Sequence, residues 1–142
     1  MSRLRKTVLC IEDHWSELIA RKMLLESNGY RVLEAMGADE GLGLFRTHQV
    51  DVVVLEYQMA GMSGDVVAAR MKRSKPHLPI LLLSAYGPLP EKKLEAVDAF
   101  LTKSQGGKVL LSTLHNLTNA RPKPFFYRWF DSWRGRIEAA TR

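Results

Sequence analysis

Val52-Val53-Val54-Leu55-Glu56 is an apolar run that ends directly on an acid, and similar runs recur along the chain. Residues 8–11 (VLCI) lead into an acidic pair, residues 80–83 (ILLL) into a serine, and residues 99–102 (AFLT) into a lysine. Apolar runs of this length are typical of strands that are buried on both faces of a parallel sheet. We predict strands over residues 7–11, 31–35, 51–56, 79–84 and 98–102.

Stretches with helical periodicity separate these strands. Their apolar stripes consist of Leu18, Ile19 and Met23, then Leu42 and Phe45, then Val67 and Met71, and finally Leu110, Leu114 and Leu117. Gly29 is placed to end the first helix. Because strands and helices alternate, the sequence predicts βαβ units with right-handed crossovers and therefore an α/β fold.

Polar side chains stand at the carboxyl ends of four of the predicted strands. In open α/β sheets, ligands bind in the crevice outside those ends. Five residues are therefore predicted to converge in one crevice, namely Glu12, Asp13, Glu56, Ser84 and Lys103.

This set of motifs resembles the receiver domain of bacterial two-component response regulators of the chemotaxis-regulator type. The resemblance covers residues 5 to about 120. It rests on the pair Glu12-Asp13, the stretch 55–64 (LEYQMAGMSG), the pair Ser84-Ala85, and Phe100 three residues before Lys103. It implies a flavodoxin-like, doubly wound, five-stranded parallel sheet flanked by helices, and a phosphorelay signalling module rather than an enzyme.

The resemblance also implies a metal site. Mg²⁺ prefers hard oxygen ligands and neutralises charge during phosphoryl transfer. By resemblance, Asp13 would bind Mg²⁺ directly, Glu12 would bind it through water, and the backbone carbonyl of Gln58 would be a third protein contact. Glu56 would either ligate the ion or occupy its position, in which case Mg²⁺ binding would be weak or absent.

A switch is implied as well. Lys103 would pair with carboxylate or phosphoryl oxygens, and Ser84 would hydrogen-bond the phosphoryl group. The aromatic residue that follows this hydroxyl inward in the family is Phe100 here. The short spacing between Ser84 and Lys103 predicts only a short helix near residues 90–96, which would alter the usual signalling face.

Three departures from the family pattern lie close to the crevice. Glu56 holds the phosphoacceptor position, where the family has aspartate, and Ala60 and Ser104 stand where the family commonly has proline. A cis peptide bond before a residue other than proline costs about 2.5–4 kcal/mol. The Lys103-Ser104 bond is therefore either trans, with a loop of different shape, or strained.

Glu56 is one methylene longer than aspartate and reaches further into the space of a phosphoryl group. It could pair with Lys103 and accept a hydrogen bond from Ser84, as a partial mimic with a charge of −1 against about −1.5 to −2 for a phosphoryl group. Three alternatives stand beside the mimic. Glu56 is a working phosphoacceptor, a solvated carboxylate without a role, or an engineered replacement of a native aspartate.

The length of 142 residues suits one domain with a buried core plus an appendage, which we place at residues 1–120 and 121–142. The single cysteine, Cys10, can form no internal disulfide, which indicates a reducing compartment. Because the sequence has no signal peptide pattern and no apolar run of about 20 residues, we expect a cytoplasmic protein. His14, beside the acidic pair, is interpreted as a surface residue.

Residues 121–142 are predicted to form an aromatic and basic helical tail. Pro122 and Pro124 end the preceding helix. Five apolar residues of the tail share one helical face, namely Phe126, Trp129, Phe130, Trp133 and Ile137. With six Lys or Arg and two acids, the tail supplies +4 of the formal net charge of +6.

Three interpretations of the tail compete. It packs back onto the receiver, since large exposed apolar patches are rare on monomers, or it docks a partner or a second copy of the chain to form a homodimer, since Trp and Arg are enriched at interface hot spots. A membrane-surface helix is the third and is disfavoured by Gly135 and by the short length. Nucleic-acid binding is disfavoured further, because too little chain follows the receiver for a helix-turn-helix.

Two functional hypotheses follow. In the first, the chain is a non-enzymatic signalling module that binds a downstream signalling protein, with Glu56 setting its conformation independently of phosphorylation. In the second, it is a working phosphoacceptor that takes a phosphoryl group from a histidine kinase with Mg²⁺. Mg²⁺-dependent transfer of label from a phosphodonor distinguishes the two.

Overall fold

Five short strands form one sheet in the structure, a computed structural model that describes residues 5–119. The strands are β1 (Thr7–Ile11), β2 (Arg31–Ala35), β3 (Val52–Glu56), β4 (Ile80–Ser84) and β5 (Ala99–Thr102). Every residue of β1, β3 and β4 is buried, as expected for strands covered on both faces. The five predicted strands are confirmed to within one residue at each end.

All strand pairs are parallel, and the order across the sheet is β2-β1-β3-β4-β5. This is the flavodoxin-like, doubly wound order, in which the chain reverses its direction of winding between β1 and β3. The predicted fold class is therefore confirmed. The carboxyl ends of β1 and β3 flank the point of reversal, which is where doubly wound sheets open a crevice.

Within residues 5–119, four α-helices connect or follow the strands, namely α1 (Trp15–Ser27), α2 (Ala38–Thr47), α3 (Gly64–Ser74) and α4 (Gly106–Asn119). Gly29 follows α1 with a φ of 91°, a left-handed conformation that glycine adopts without strain, so its predicted role in ending the helix is confirmed. One residue of the predicted stripe on α1 is wrong: Met23 is 68% exposed, and Leu25 is buried in its place. Because α1 is only weakly amphipathic, its inward face was hard to define from periodicity.

Alternation along the strands creates two cores. Leu9, Val53 and Leu82 face α2 and α3, while Val8, Val54 and Leu81 face α1 and α4. Cys10 lies in the second core and is fully buried. Burial raises the pKa of its thiol to about 12, so the thiolate is disfavoured and Cys10 acts as a small core residue.

The connection between β4 and β5 contains only a 3₁₀ turn, Glu91–Leu94, in agreement with the short helix predicted near residues 90–96. The single cis peptide bond among residues 5–119 is Gly87–Pro88. The Lys103-Ser104 bond is therefore trans, and a second 3₁₀ turn, Lys103–Gln105, shapes the loop before α4. Of the two alternatives given for Ser104 in place of proline, the structure therefore has the trans bond with a loop of different shape.

Residues 1–4 and 120–142 lie outside the described residues, and with them the whole predicted tail, including Phe126, Trp129, Phe130, Trp133 and Ile137. The proposed domain boundary at residue 120 also stays a prediction. Within residues 5–119, no helix combines the length and the apolar character needed to cross a membrane.

Candidate functional site

The crevice at the carboxyl edge of the sheet is built by residues that end or follow four strands. Glu12 follows β1, Glu56 is the last residue of β3, Ser84 is the last residue of β4, and Lys103 follows β5. Glu12, Glu56 and Ser84 are buried, at 0%, 2% and 1% exposure. Lys103 is partly buried, with 22% of its side chain exposed. The predicted convergence of these strand ends is confirmed by the topology.

The ammonium group of Lys103 is shared by three carboxylates. Its Nζ lies 2.8 Å from Glu17 Oε1, 2.9 Å from Glu56 Oε2 and 3.1 Å from Glu12 Oε1. Its hydrogen bonds go to Glu17 and Glu12, and the contact with Glu56 is a close ion pair. Burial acts to lower the pKa of Lys103, but the three carboxylates outweigh it and raise the pKa well above its ordinary value. The ammonium therefore stays charged and joins β1, α1 and β3 to the end of β5.

Glu56 is buried in the crevice and held by a backbone hydrogen bond. Its Oε1 accepts a hydrogen bond from the backbone N–H of Gln58 at 3.3 Å, which places Gln58 beside the carboxylate. Burial raises the pKa of Glu56 above the ordinary 4.5; Lys103 opposes this shift, and the negative charge of Glu12 adds to it. The expected pairing of Glu56 with Lys103 is present.

Glu12 is fully buried and is surrounded by three basic side chains. Besides Lys103, Arg21 Nη1 lies 3.5 Å from its Oε1, and His14 Nδ1 lies 3.4 Å from its Oε2. Buried carboxylates need such partners, because an unpaired charge away from water is costly. Glu12 is thus the innermost acid of the site.

Asp13 sits nearer the surface than Glu12. Its Oδ2 accepts a hydrogen bond from the backbone N–H of Ala60 at 3.1 Å, which ties the loop after β1 to the loop after β3. Its Oδ1 is buried, accepts no hydrogen bond from residues 5–119, and lies 3.2 Å from His14 Nδ1. Although His14 has a side chain that is 68% exposed, it is more than the surface residue predicted, because it contacts Glu12, Asp13 and Glu17.

A hard divalent cation fits the donor groups of this crevice. Within the described part of the chain, Asp13 Oδ1 is a buried carboxylate oxygen that accepts no hydrogen bond, whereas Glu56 Oε2 is already paired with the Lys103 ammonium at 2.9 Å. Carboxylate oxygens of this kind are the ligands that Mg²⁺ prefers. In addition, Glu12, His14 and Glu17 each bring a donor atom within 4.8 Å of the other two.

Ser84 does not make the hydrogen bond expected of it. Its Oγ accepts a hydrogen bond from the backbone N–H of Tyr86 at 3.1 Å, and none joins Ser84 to Glu56 within the described chain. The expectation of a Ser84–Glu56 hydrogen bond is therefore wrong for this structure. The turn after β4 orients the Ser84 hydroxyl towards the backbone of Tyr86. The spacing of residues in the sequence does not indicate which rotamer Ser84 adopts.

Phe100 lies on β5, next to β4, and is partly buried against the core cluster that contains Leu82. Its ring also lies close to the loop after β4. A Cβ added to Gly87 in that loop would be only 3.2 Å from the ring. Phe100, the aromatic residue of the predicted switch, therefore lies between the core of the sheet and the loop that contains Tyr86.

Two residues of the site were missed by sequence reasoning, Glu17 and Arg21. Both lie on α1, Glu17 four residues after Asp13 and Arg21 four residues after Glu17, so they share the face of the helix that overlooks the crevice. The Lys103 hydrogen bond lowers the pKa of Glu17, which keeps this acid charged. The spacing Asp13–Glu17–Arg21 was the available signal.

We expect Glu56→Gln to change how stability depends on pH. Because the folded pKa of Glu56 is raised, the folded chain binds more protons than the unfolded chain above pH 4.5, and stability falls as pH rises towards the folded pKa. Glutamine cannot titrate, so this fall should be missing in the variant, and the difference in unfolding free energy between the two proteins should change by up to about 1.4 kcal/mol per pH unit.

Urea unfolding at a series of pH values measures this difference. Glu91→Gln, which removes the same charge at an exposed position of the first 3₁₀ turn, is the control. A stability difference between Glu56→Gln and the unaltered protein that is constant with pH would contradict the assignment of a raised pKa to Glu56.

Comparison with known proteins identifies the family to which this fold belongs. The model of the response regulator receiver domain matches residues 8–115, which contain every element of the crevice. The chain belongs to the response regulator receiver domain family. Receiver domains are the signal-receiving modules of two-component systems, so the resemblance in fold and motif is confirmed at this level.

Curated relatives contain this receiver domain as part of longer chains. The transcriptional regulatory protein GlrR of Escherichia coli K12 is 30% identical over 106 residues, which are 72% of this chain and 24% of that protein. The sensor histidine kinase GacS of Pseudomonas protegens is 34% identical over 104 residues, which are 68% of this chain and 11% of that protein. The chain thus spans a quarter or less of the length of these relatives.

Solved receiver structures have the same fold. The response regulator TrrA of Thermotoga maritima, solved in complex with Mg(2+)-BeF, has a TM-score of 0.76 at 28% identity and covers 79% of this chain and 98% of its own. A receiver domain from Methanospirillum hungatei has a TM-score of 0.78 at 23% identity, with 82% and 95% coverage. At 23% identity, the second comparison supports a shared fold only.

Proposed function

We propose that this receiver domain signals by protein–protein interaction in a conformation that Glu56 sets without phosphorylation. Glu56 would take the phosphoacceptor position, and the observation that carries the proposal is its ion pair with Lys103, 2.9 Å between Oε2 and Nζ, on a side chain that is 3% exposed. A phosphoryl group in this place would likewise bring negative charge to Lys103. The carboxylate, where ionised, therefore supplies part of that charge without phosphorylation.

In this proposal the receiver domain is a binding module and not an enzyme. A permanent link between the ends of β3 and β5 would hold the loop that follows β5, and with it the surface that a partner reads. The partner would be a histidine kinase or a downstream signalling protein, in keeping with the domains that accompany receivers in two-component systems.

A second candidate function is favoured by the charge of the crevice. Four carboxylates face two cations within the described chain, namely Glu12, Asp13, Glu17 and Glu56 against Lys103 and Arg21. One buried carboxylate oxygen, Asp13 Oδ1, accepts no hydrogen bond from residues 5–119. This excess of negative charge would attract Mg²⁺, held by Asp13, Glu56 and the carbonyl of Gln58, with Glu12 acting through water. The ion would supply charge neutralisation for phosphoryl transfer to Glu56 from a histidine kinase.

Treatment with acetyl phosphate or phosphoramidate and Mg²⁺, followed by intact mass measurement, separates the two candidates. The unaltered protein, Glu56→Asp and Glu56→Gln are treated side by side. We expect a mass gain of one phosphoryl group in Glu56→Asp alone, because in-line attack tolerates little error and a misplacement of about 1 Å can cost about a hundredfold in rate.

Other outcomes are equally informative. A gain in the unaltered protein that Glu56→Gln abolishes would support the working phosphoacceptor. A gain that persists in Glu56→Gln would locate the label on another residue and contradict both candidates. No gain in any form would contradict the assignment of Glu56 to a phosphoacceptor position with competent surroundings.

A further inference from the structure

An apolar groove lies between α1 and α4, next to the acidic crevice. It has a volume of about 280 Å³, close to the lower end of about 300 Å³ for pockets that hold a whole small ligand. Its walls are the side chains of Leu24, Leu83, Leu101 and Leu110. A groove of this size and character suits individual apolar side chains inserted from a neighbouring segment.

The groove is open because α4 begins with two glycines. Gly106 and Gly107 both line it, and a Cβ added to Gly107 would lie 3.0 Å from Leu24 Cδ2. Any larger side chain at position 107 would therefore enter the groove or displace Leu24. The first turn of α4 leaves space that an ordinary helix would fill.

We propose that the aromatic residues of the tail, residues 125–137 of the same chain, occupy this groove. The tail follows directly on α4, whose 14 residues form one side of the groove and span about 21 Å. Residues 120–125, if extended, reach about 20–22 Å, so Phe126 and the residues after it can return to the first turn of α4. The groove is thus within reach of the chain that follows it.

The character of the groove matches the tail better than a second cavity in residues 5–119 does. That cavity lies at the opposite end of the sheet, and every residue of its lining is polar, including Arg5, Lys6, Arg31 and Asp51. Aromatic side chains would find no apolar side chain there to pack against. The leucine walls between α1 and α4 suit the five apolar residues predicted to share one face of the tail.

Arg21 also lines the groove, but its guanidinium belongs to the acidic crevice. Its side chain is 9% exposed, and its buried Nη1 lies 3.5 Å from Glu12 Oε1. The groove also includes Glu17 and Lys103, so an inserted tail would lie against the crevice itself.

This proposal does not depend on the chemistry of Glu56. It assigns the tail an intramolecular position beside Lys103, at the end of the sheet where a partner would approach. A partner that uses the same surface would first have to displace the tail.

Tryptophan fluorescence of the full-length protein tests the proposal. In a Trp15→Phe background, emission comes only from Trp129 and Trp133 of the tail. We expect blue-shifted emission that acrylamide quenches poorly and that does not change with protein concentration. Adding Gly107→Leu should fill the groove, shift the emission to the red and make it readily quenched.

Gly43→Leu in the same background is the matched control, because Gly43 lies in α2 with open space around its Cβ position. Its emission should stay blue-shifted. If circular dichroism reveals that Gly107→Leu does not fold, Leu24→Gln, which removes an apolar wall of the groove, takes its place.

Three results would overturn the proposal. In the first, emission is the same with and without the groove substitution. In the second, the shielding of the tail is lost on dilution, which assigns the contact to a second copy of the chain. In the third, the shielding arises only with anionic lipid vesicles, which assigns the tail to a membrane surface.

Discussion

Lys103→Met should lower the unfolding free energy at neutral pH by about 3–5 kcal/mol, the loss typical when one partner of a buried ion pair is removed. The reason is the sharing of one ammonium by three carboxylates, of which Glu12 and Glu56 are buried. Methionine keeps the volume of the side chain but leaves these acids without their common cation. We expect the loss to shrink at acidic pH, where the carboxylates can be protonated.

Urea unfolding of Lys103→Met and Lys93→Met at neutral and acidic pH measures this effect. Lys93 also pairs with an acid, Asp65 at 3.3 Å, but its side chain is 42% exposed, and such surface pairs contribute about 0–1 kcal/mol. Equal losses in the two variants would mean that the shared ammonium has no special role in stability.

Gly64→Ala should be the second strongly destabilising substitution, with a loss of about 1–3 kcal/mol or more, as for overpacked sites. Gly64 is the first residue of α3, and its N–H donates a hydrogen bond to Tyr57 O at 2.8 Å. A Cβ there would collide with the backbone carbonyl of Glu56 and would lie 2.8 Å from Leu82 Cδ1. Relief of the clash would have to move the end of β3, so we also expect the Glu56–Lys103 pair to be disturbed.

Gly43→Ala provides the control for this substitution. Gly43 lies in the middle of α2, and a Cβ added to it would have no neighbouring atom within 4 Å, so alanine should stabilise the helix by about 0.5–1 kcal/mol. Thermal and urea unfolding of the two alanine variants should therefore give changes of opposite sign. A Gly64→Ala protein as stable as Gly43→Ala would contradict the close approach of α3 to β3.

The strands were predictable because each is a compact apolar run bounded by polar residues. Runs such as residues 52–55 and 80–83 are too short for buried helices and are separated by helical stretches, so a buried strand is the assignment that fits them. The ends of these runs then determine which side chains reach the crevice. The inward face of α1 was harder to define. Its apolar residues surround the helix more evenly, so that Met23 and Leu25 could not be ranked by periodicity alone.

The acids at the strand ends and the pairing of Glu56 with Lys103 were predicted, but the contribution of α1 to the ion cluster was not. Glu12, Glu56 and Lys103 follow from topology, whereas the contact of Glu17 with Lys103 depends on how α1 leans over the sheet. The orientation of the Ser84 hydroxyl depends on the turn to Tyr86, where a local hydrogen bond takes precedence. Rotamers and helix placement are set by packing across distant parts of the chain, which motifs do not record.

Within residues 5–119, strand β5 has only one neighbour in the sheet, which makes it prone to local unfolding. It is the shortest of the five strands described, at four residues, it pairs with β4, and Lys103 follows it directly. If β5 detaches from the sheet, the Lys103 ammonium loses its contacts with three carboxylates at once. Because Lys103 and Glu12 are 91 residues apart in the sequence, only the folded sheet keeps them together. The edge strand and the ion cluster should therefore open as one cooperative unit, so that the amide hydrogens of β5 are protected from exchange by the same opening free energy that holds the cluster together.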